Sequence, residues 1–362
     1  MSEALLNRIR ELVDSEFRPS AEAADQGSIH GQVETNIRKL ADLGCFGFNI
    51  PVSFGGLAAD DETRREYSEL IASSCGVTSF VQQQLHGGGG FVGASNSPSL
   101  KASLLPQLAT GRLLCGIAFS HLRRQGSPPV TATRVSEGFV FNGKVPWITG
   151  WALLDSFILG AVADDSGDHV YVYVDKVLHG SGLKALPPEP LACMNASDTV
   201  EVEINNLFIS NDHLIYERPS RAIHRSDYCG IAGNITPQLG CTRGSVIQLH
   251  KLAEQPGKQN INEIADRFEQ SIKDCRSGSL RWNGATVDHP DYKTEALKVR
   301  SRATVLAVRA GHAVVTATGG SAQRLNNPGQ RLLREAMFYT TVAQTEDVRW
   351  ATLQELANIS EQ

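Results

Sequence analysis

The apolar residues of this chain change their period twice, and no other feature limits the fold as strongly. From residue 1 to about 112 they recur at helical spacing. In "SEALLNRIRELVDSEF", Leu5, Ile9, Leu12 and Val13 share one face. "HGQVETNIRKLADLG" repeats the spacing with Val33, Ile37 and Leu40, and Gly44 follows as a C-cap. Further helices are expected over 61–74 and 79–86, and from Ser97, an N-cap with Pro98 behind it. From about 113 to 222 the period is two. "DTVEVEINNLFIS" sets Val200, Val202 and Ile204 against Glu201 and Glu203, and Asn142-Gly143 reads as a hairpin turn. From about 223 to 362 the helical spacing returns, over 230–253, 261–275 and 290–318. Asn327 then caps one more helix and Thr345 opens the last. This order predicts an α+β multidomain protein. Its parts are an N-terminal helical domain (1–112), a small β-barrel or sandwich (113–222) and a C-terminal four-helix bundle (223–362).

Composition narrows the function. The net charge is -5 and the densest basic cluster is Arg123-Arg124, so no basic stripe is available to meet nucleic-acid phosphates. No apolar run reaches the roughly 18 residues of a membrane span. The N-terminal stretch is charged every few residues and has no signal-peptide core, and a cytoplasmic location is expected. The seven cysteines are scattered, without Cys-x-x-Cys or metal-ligand spacing, and read as reduced thiols. No metal site is expected.

Five stretches carry more. They are "LADLGCFGFNIPVSFGGL", "LLPQLATGRLLCGIAFS", "GFVFNGKVPWITG", "DTVEVEINNLFIS" and "ATGGSAQRLNNPGQRLLREAMFY". Their order and spacing resemble those of the acyl-CoA dehydrogenase family of flavoproteins, across nearly the whole chain. The resemblance implies FAD held between the β domain, the bundle and a neighbouring subunit, and hence a homodimer or homotetramer. It implies that Trp147 and Thr149 lie against the isoalloxazine, the indole in apolar contact and the hydroxyl bonded near N5. The backbone of Phe119 and Ser120, with the Ser120 hydroxyl, would face the pyrimidine edge. Gly126 and Ser127 would approach the pyrophosphate. Gly319 and Gly320 would receive the adenosine half across the subunit interface. Thr345 would stand near phosphates at a helix N-terminus. The implied reaction is oxidation of the CH–CH group of an acyl thioester, on CoA or a carrier protein, with the electron acceptor left open.

The chain also departs from the family. The usual catalytic glutamate falls on Ala343, which cannot accept a proton. Glu346 is three residues on, at a helix start where an acid commonly serves the dipole. Some relatives carry the base on the first bundle helix, and spacing puts that position near His250. Arg123 and Arg124 are inserted where the family has Thr-Glu-Pro; they suit a pyrophosphate or carboxylate, or a solvated loop. "AEQPGKQN" lacks the family's Arg-x-x-Phe-Gly, whose arginine helps to hold FAD in the partner. Two other readings therefore stay open: a flavin-dependent monooxygenase or oxidase of the same fold, and a non-catalytic homologue.

Overall fold

The computed structural model describes residues 2–357. Helices α1 (Ser2–Leu12), α2 (Ala21–Gln26), α3 (Glu34–Asp42), α4 (Asp61–Ser74), α5 (Gly76–Gly93) and α6 (Pro98–Ala109) precede the sheet. Their ends follow local chemistry. Asp60 caps α4 by accepting from the Thr63 amide at 2.7 Å, and Ser97 caps α6 from the Leu100 amide at 3.3 Å. Gly44, at φ +75°, turns the chain out of α3.

Helix α5 corrects the expected 79–86 helix: it runs on through Gly87, Gly88, Gly89 and Gly90. A run of glycines is poor helix material by itself. Here it is a packing requirement. A Cβ on Gly88 would stand 2.0 Å from the Cys115 carbonyl oxygen, and one on Gly87 3.1 Å from Ile117.

The strands are β1 (Cys115–Ala118), β2 (Val130–Val135), β3 (Gly138–Ile148), β4 (Ser156–Ala163), β5 (His169–Asp175), β6 (Leu183–Ala185), β7 (Val200–Ser210) and β8 (Leu214–Arg218). They form one sheet in the order β6-β7-β3-β2-β4-β5-β8, with β1 added beside β4. Phe139, Phe141 and Val145 from β3, Val202 and Ile204 from β7, and Val170, Val172 and Val174 from β5 meet in one core. The sheet therefore folds over on itself. On the other face of β4 and β5, Ile158, Tyr171 and Tyr173 pack against α5 and α6.

Asn142-Gly143 is not a hairpin turn. Strand β3 passes straight through it, and the β2–β3 hairpin closes where Val135 pairs Gly138. Gly143, at φ +133°, instead marks a slip in the β3–β7 register. A Cβ there would lie 2.0 Å from the Pro129 carbonyl oxygen. Asn142 Oδ1 steadies the slip by accepting from the Asn206 amide at 2.8 Å.

The C-terminal helices are α7 (Arg221–Cys229), α8 (Thr236–Ala253), α9 (Ile261–Arg281), α10 (Tyr292–Thr318), α11 (Pro328–Tyr339) and α12 (Glu346–Ala357). The expected 230–253 helix begins only at Thr236, because Pro237 fits the first turn of α8 and no position further in. Gly240 and Gly244, one turn apart on α8, bring it onto α4. Cβ atoms there would meet the Glu69 and Ser73 carbonyl oxygens at 2.8 and 2.5 Å. Helices α8 and α10 run parallel: Gln238 faces Arg300, and Lys258, just past α8, reaches the Ala317 carbonyl at 3.3 Å. A buried ion network ties α11 to the N-terminal helices. Arg331 pairs with Glu335 at 2.7 Å and with Glu22 at 3.0 Å, while Glu335 accepts from the Gly76 amide at 3.0 Å.

Candidate functional site

The end of β3 delivers Trp147 and Thr149 in opposite states. Trp147 is 46% exposed, whereas Thr149 is buried. The Thr149 hydroxyl is 3.0 Å from that of Thr199, which is 2.8 Å from that of Ser197. The Gly150 amide donates to the Ser197 carbonyl at 2.8 Å, and the Ala152 amide to Asp198 Oδ2 at 2.7 Å. The turn that supplies these partners is strained, with Met194 at φ +62° and Asp198 at φ +47°. A hydroxyl has one proton and two lone pairs, so Thr149 keeps bonding capacity for a further group. Ser197 and Thr199 escaped sequence reasoning: they come from a turn some fifty residues away, and only their position shows the link.

Trp151 lies two residues beyond Thr149. In the fold its ring lies 4.4 Å from Lys176 Nζ, which donates to the Trp151 and Leu154 carbonyls at 2.6 and 2.7 Å. The indole covers a cation that holds the chain just after the Trp147–Thr149 pair.

The turn after β1 carries Phe119 and Ser120. The Phe119 ring is buried against Phe91 and Tyr171, with centroids 4.6 and 5.6 Å away, so only its backbone can meet a ligand. Ser120 is exposed at the start of a single helical turn, Ser120–Arg123. His121 is buried behind it, with Nε2 2.9 Å from the Gly160 carbonyl, and burial lowers its pKa to about 4. Arg123 forms a bidentate pair with Asp227 of α7 at 2.8 and 2.9 Å; Arg124 is exposed. Gly126 has φ +94° and a Cβ there would meet nothing within 4 Å, and Ser127 is exposed beside it.

At the far end of α10, Gly319 takes φ +80° and both it and Gly320 face open space. Lys258 brings a cation to this end from the linker that lacks the expected arginine. Spacing gave no sign of it, because a lysine in "AEQPGKQN" matches no motif.

The segment before α12 lies elsewhere. Ala343 is exposed at φ +51°, in the left-handed region that a residue with a Cβ adopts at a cost. Just before it, the Val342 carbonyl accepts from Arg300 at 3.2 Å. Arg300 is only 2% exposed and burial pulls its pKa down to about 10. With its amide turned to face Arg300, Gln238 accepts from the guanidinium at 2.9 and 3.2 Å. Thr345 caps α12, its hydroxyl accepting from the Val348 amide at 3.3 Å, and Glu346 is exposed in the first turn. His250 is not part of this group. It bonds Asn262 Oδ1 at 2.9 Å and faces Asp266 at 3.8 Å. It stands twelve residues along α8 from Gln238, about 18 Å from the level of Arg300 and Val342. Among the described residues no cluster of His, Cys, Asp and Glu could hold a metal, and no helix is long and apolar enough to cross a membrane.

Residues 2–112 match the family model of the acyl-CoA dehydrogenase N-terminal domain. The mitochondrial 2-methylacyl-CoA dehydrogenase of Solanum tuberosum is 26% identical over 385 aligned residues, spanning 94% of this chain and 86% of that protein. Among solved structures, the glutaryl-CoA complex of glutaryl-coenzyme A dehydrogenase superposes with a TM-score of 0.82 at 19% identity, over 98% of this chain and 95% of that one. The dibenzothiophene monooxygenase of Paenibacillus sp. A11-2 superposes with a TM-score of 0.75 at 18% identity, over 98% and 96%. The two structural likenesses are likenesses of fold.

Proposed function

We propose, from its likeness to the acyl-CoA dehydrogenase family, that the chain is an FAD-dependent oxidoreductase acting on the CH–CH group of an acyl thioester, with CoA or a carrier protein as the thiol. The pairing of Trp147 with Thr149 carries this reading: an exposed indole beside a buried hydroxyl held by a strained turn. These residues fit a flavin. The indole offers an apolar face, and Thr149 retains a hydrogen-bonding position. Left-handed, open Gly126 and Gly319 leave room for phosphate to approach the backbone. Bound there, FAD would accept the hydride that leaves the substrate.

The chain's own residues would do the rest. Thr149 and Ser120 would hold the ring edge by hydrogen bonds, with the Phe119 ring anchoring its backbone. Ser127 and Thr345 would donate to phosphate, while Gly319 and Gly320 receive the adenosine half from a partner subunit. The proposed assembly is accordingly a homodimer or homotetramer, and the proposed location is the cytoplasm. Lys258 would supply positive charge where the family's arginine is missing. Of the two remaining acid–base candidates, Glu346 shares the Ala343 segment and His250 does not.

A second reading, a flavin monooxygenase or oxidase of the same fold, is favoured by Ala343, since such chemistry needs no carboxylate there. One experiment separates the readings. Purified protein is loaded with FAD and mixed anaerobically with a panel of acyl-CoAs. Bleaching of the flavin, faster in Ala343→Glu, supports the dehydrogenase. Absence of bleaching with every thioester, together with oxygen uptake from supplied reduced flavin that differs from a protein-free control, supports the monooxygenase. A protein that binds neither oxidised nor reduced flavin overturns both and leaves a non-catalytic homologue.

A further inference from the structure

Helix α7 and the turn after β1 gather positive charge on a chain that is acidic overall. Arg123, Arg124, Arg218, Arg221 and Arg225 are all exposed. Contacts between these elements bring them together. Arg123 is bonded to Asp227 on α7, and Arg218 ends β8 three residues before Arg221. Arg218 pairs in register with His169 on β5. The acids on this face are few. Asp227 is taken by Arg123, Asp288 lies 3.5 Å from Arg225, and Glu217 points to Arg134 at 2.7 Å. Among the described residues Arg124, Arg218 and Arg221 have no carboxylate partner; Arg218 only lies over the Tyr216 ring, 4.0 Å from its centroid. The face adjoins the proposed flavin turn, since Arg124 follows Ser120 by four residues.

We propose that this basic face, formed by the turn after β1, the end of β8 and α7, docks an acidic carrier protein that presents the acyl chain as a phosphopantetheine thioester. The proposal rests on the thioester reading above and chooses between its two thiols. The form of the face decides the choice. Phosphates of a nucleotide are gripped by donors that converge, at a glycine cradle or a helix start. These guanidinia belong to three separate elements and are all exposed. Spread, exposed charge acts instead at range: it steers a protein partner of opposite sign and sets its orientation. It also explains the inserted Arg123-Arg124. Arg123 is spent on Asp227, fixing the turn to α7, which leaves the exposed Arg124 without a carboxylate partner.

The test uses the FAD-loaded protein and a fluorescently labelled, phosphopantetheinylated acyl carrier protein, a small acidic helical protein. The expected result is saturable binding that weakens about tenfold when salt rises from about 50 to about 300 mM. Arg124→Glu/Arg221→Glu should weaken it by a further tenfold or so, while Arg124→Lys/Arg221→Lys restores it. Lys251→Glu, on α8, serves as the control and should change nothing. Absence of saturable binding overturns the proposal. So does equal binding by the charge-reversed protein, or a reversal that abolishes CoA binding instead. Flavin reduction by acyl-CoA is read separately. A protein that binds the carrier and is never reduced by a thioester defeats the reaction and leaves the surface standing.

Discussion

Ala343 holds a backbone conformation that its side chain resists. At φ +51° its Cβ crowds the following carbonyl, a cost of about 1–2 kcal/mol for an L-residue. Two neighbours enforce the bend. The Val342 carbonyl is held by buried Arg300, and Thr345 is committed to capping α12. Ala343→Gly should therefore stabilise the protein by about 1 kcal/mol, since glycine enters this region freely and loses only part of the gain to its freer unfolded state. Urea denaturation measures it; a loss of stability in the variant would show that the bend is not under strain. The same residue shows what is readable from sequence and what is not. That no carboxylate stands there is plain in "YTTVAQT"; that the backbone beneath it is bent against its preference is not. Thr149 is similar. Its motif marks it, but its partners Ser197 and Thr199 become its neighbours only when β7 pairs with β3.

Helix α5 shows the same division at the scale of an element. Capping is local, so the starts of α4 and α6 could be read from Asp60 and Ser97. The four glycines of α5 could not, because their reason lies on β1. Two of them make a clean contrast. Alanine at Gly88 would drive a Cβ to within 2.0 Å of the Cys115 carbonyl, and neither backbone can yield cheaply. Gly88→Ala should cost about 2–3 kcal/mol, the range of forced overpacking. Gly90 has nothing within 4 Å, so Gly90→Ala should add about 0.5–1 kcal/mol through helix propensity alone. The two variants are compared by urea titration. Equal effects would mean that α5 does not press on β1 as described. Asn142-Gly143 carries a related lesson. The dipeptide does mark an irregular backbone, but whether it closes a hairpin or kinks a long strand depends on β7 across the sheet.

For the whole molecule, acid is the sharpest test of how the N-terminal helices and the sheet are held together. His86, between the rings of Phe46 and Tyr67 at 5.5 and 5.6 Å, has both ring nitrogens buried without a partner. Burial lowers its pKa from 6.5 to about 4. His121, under the turn after β1, is lowered to about 4 mainly by burial as well. The sign follows directly. Between pH 4 and 6.5 the unfolded chain binds protons at these rings and the native protein does not, so stability falls as pH falls. It is fully present above about 6.5. Each ring contributes at most about 3 kcal/mol, less for His86, part of which remains open to solvent. Against a total of about 5–15 kcal/mol for a typical domain, two such rings should make the protein acid-labile near pH 5. His86→Phe separates this from general carboxylate effects. Phenylalanine suits the aromatic niche, needs no hydrogen bond and does not titrate. Between pH 7 and pH 5 the wild type should lose about 1–2 kcal/mol more than this variant, read from paired urea titrations. Parallel stability curves for the two proteins would mean that His86 is charged, or solvated, in the folded state.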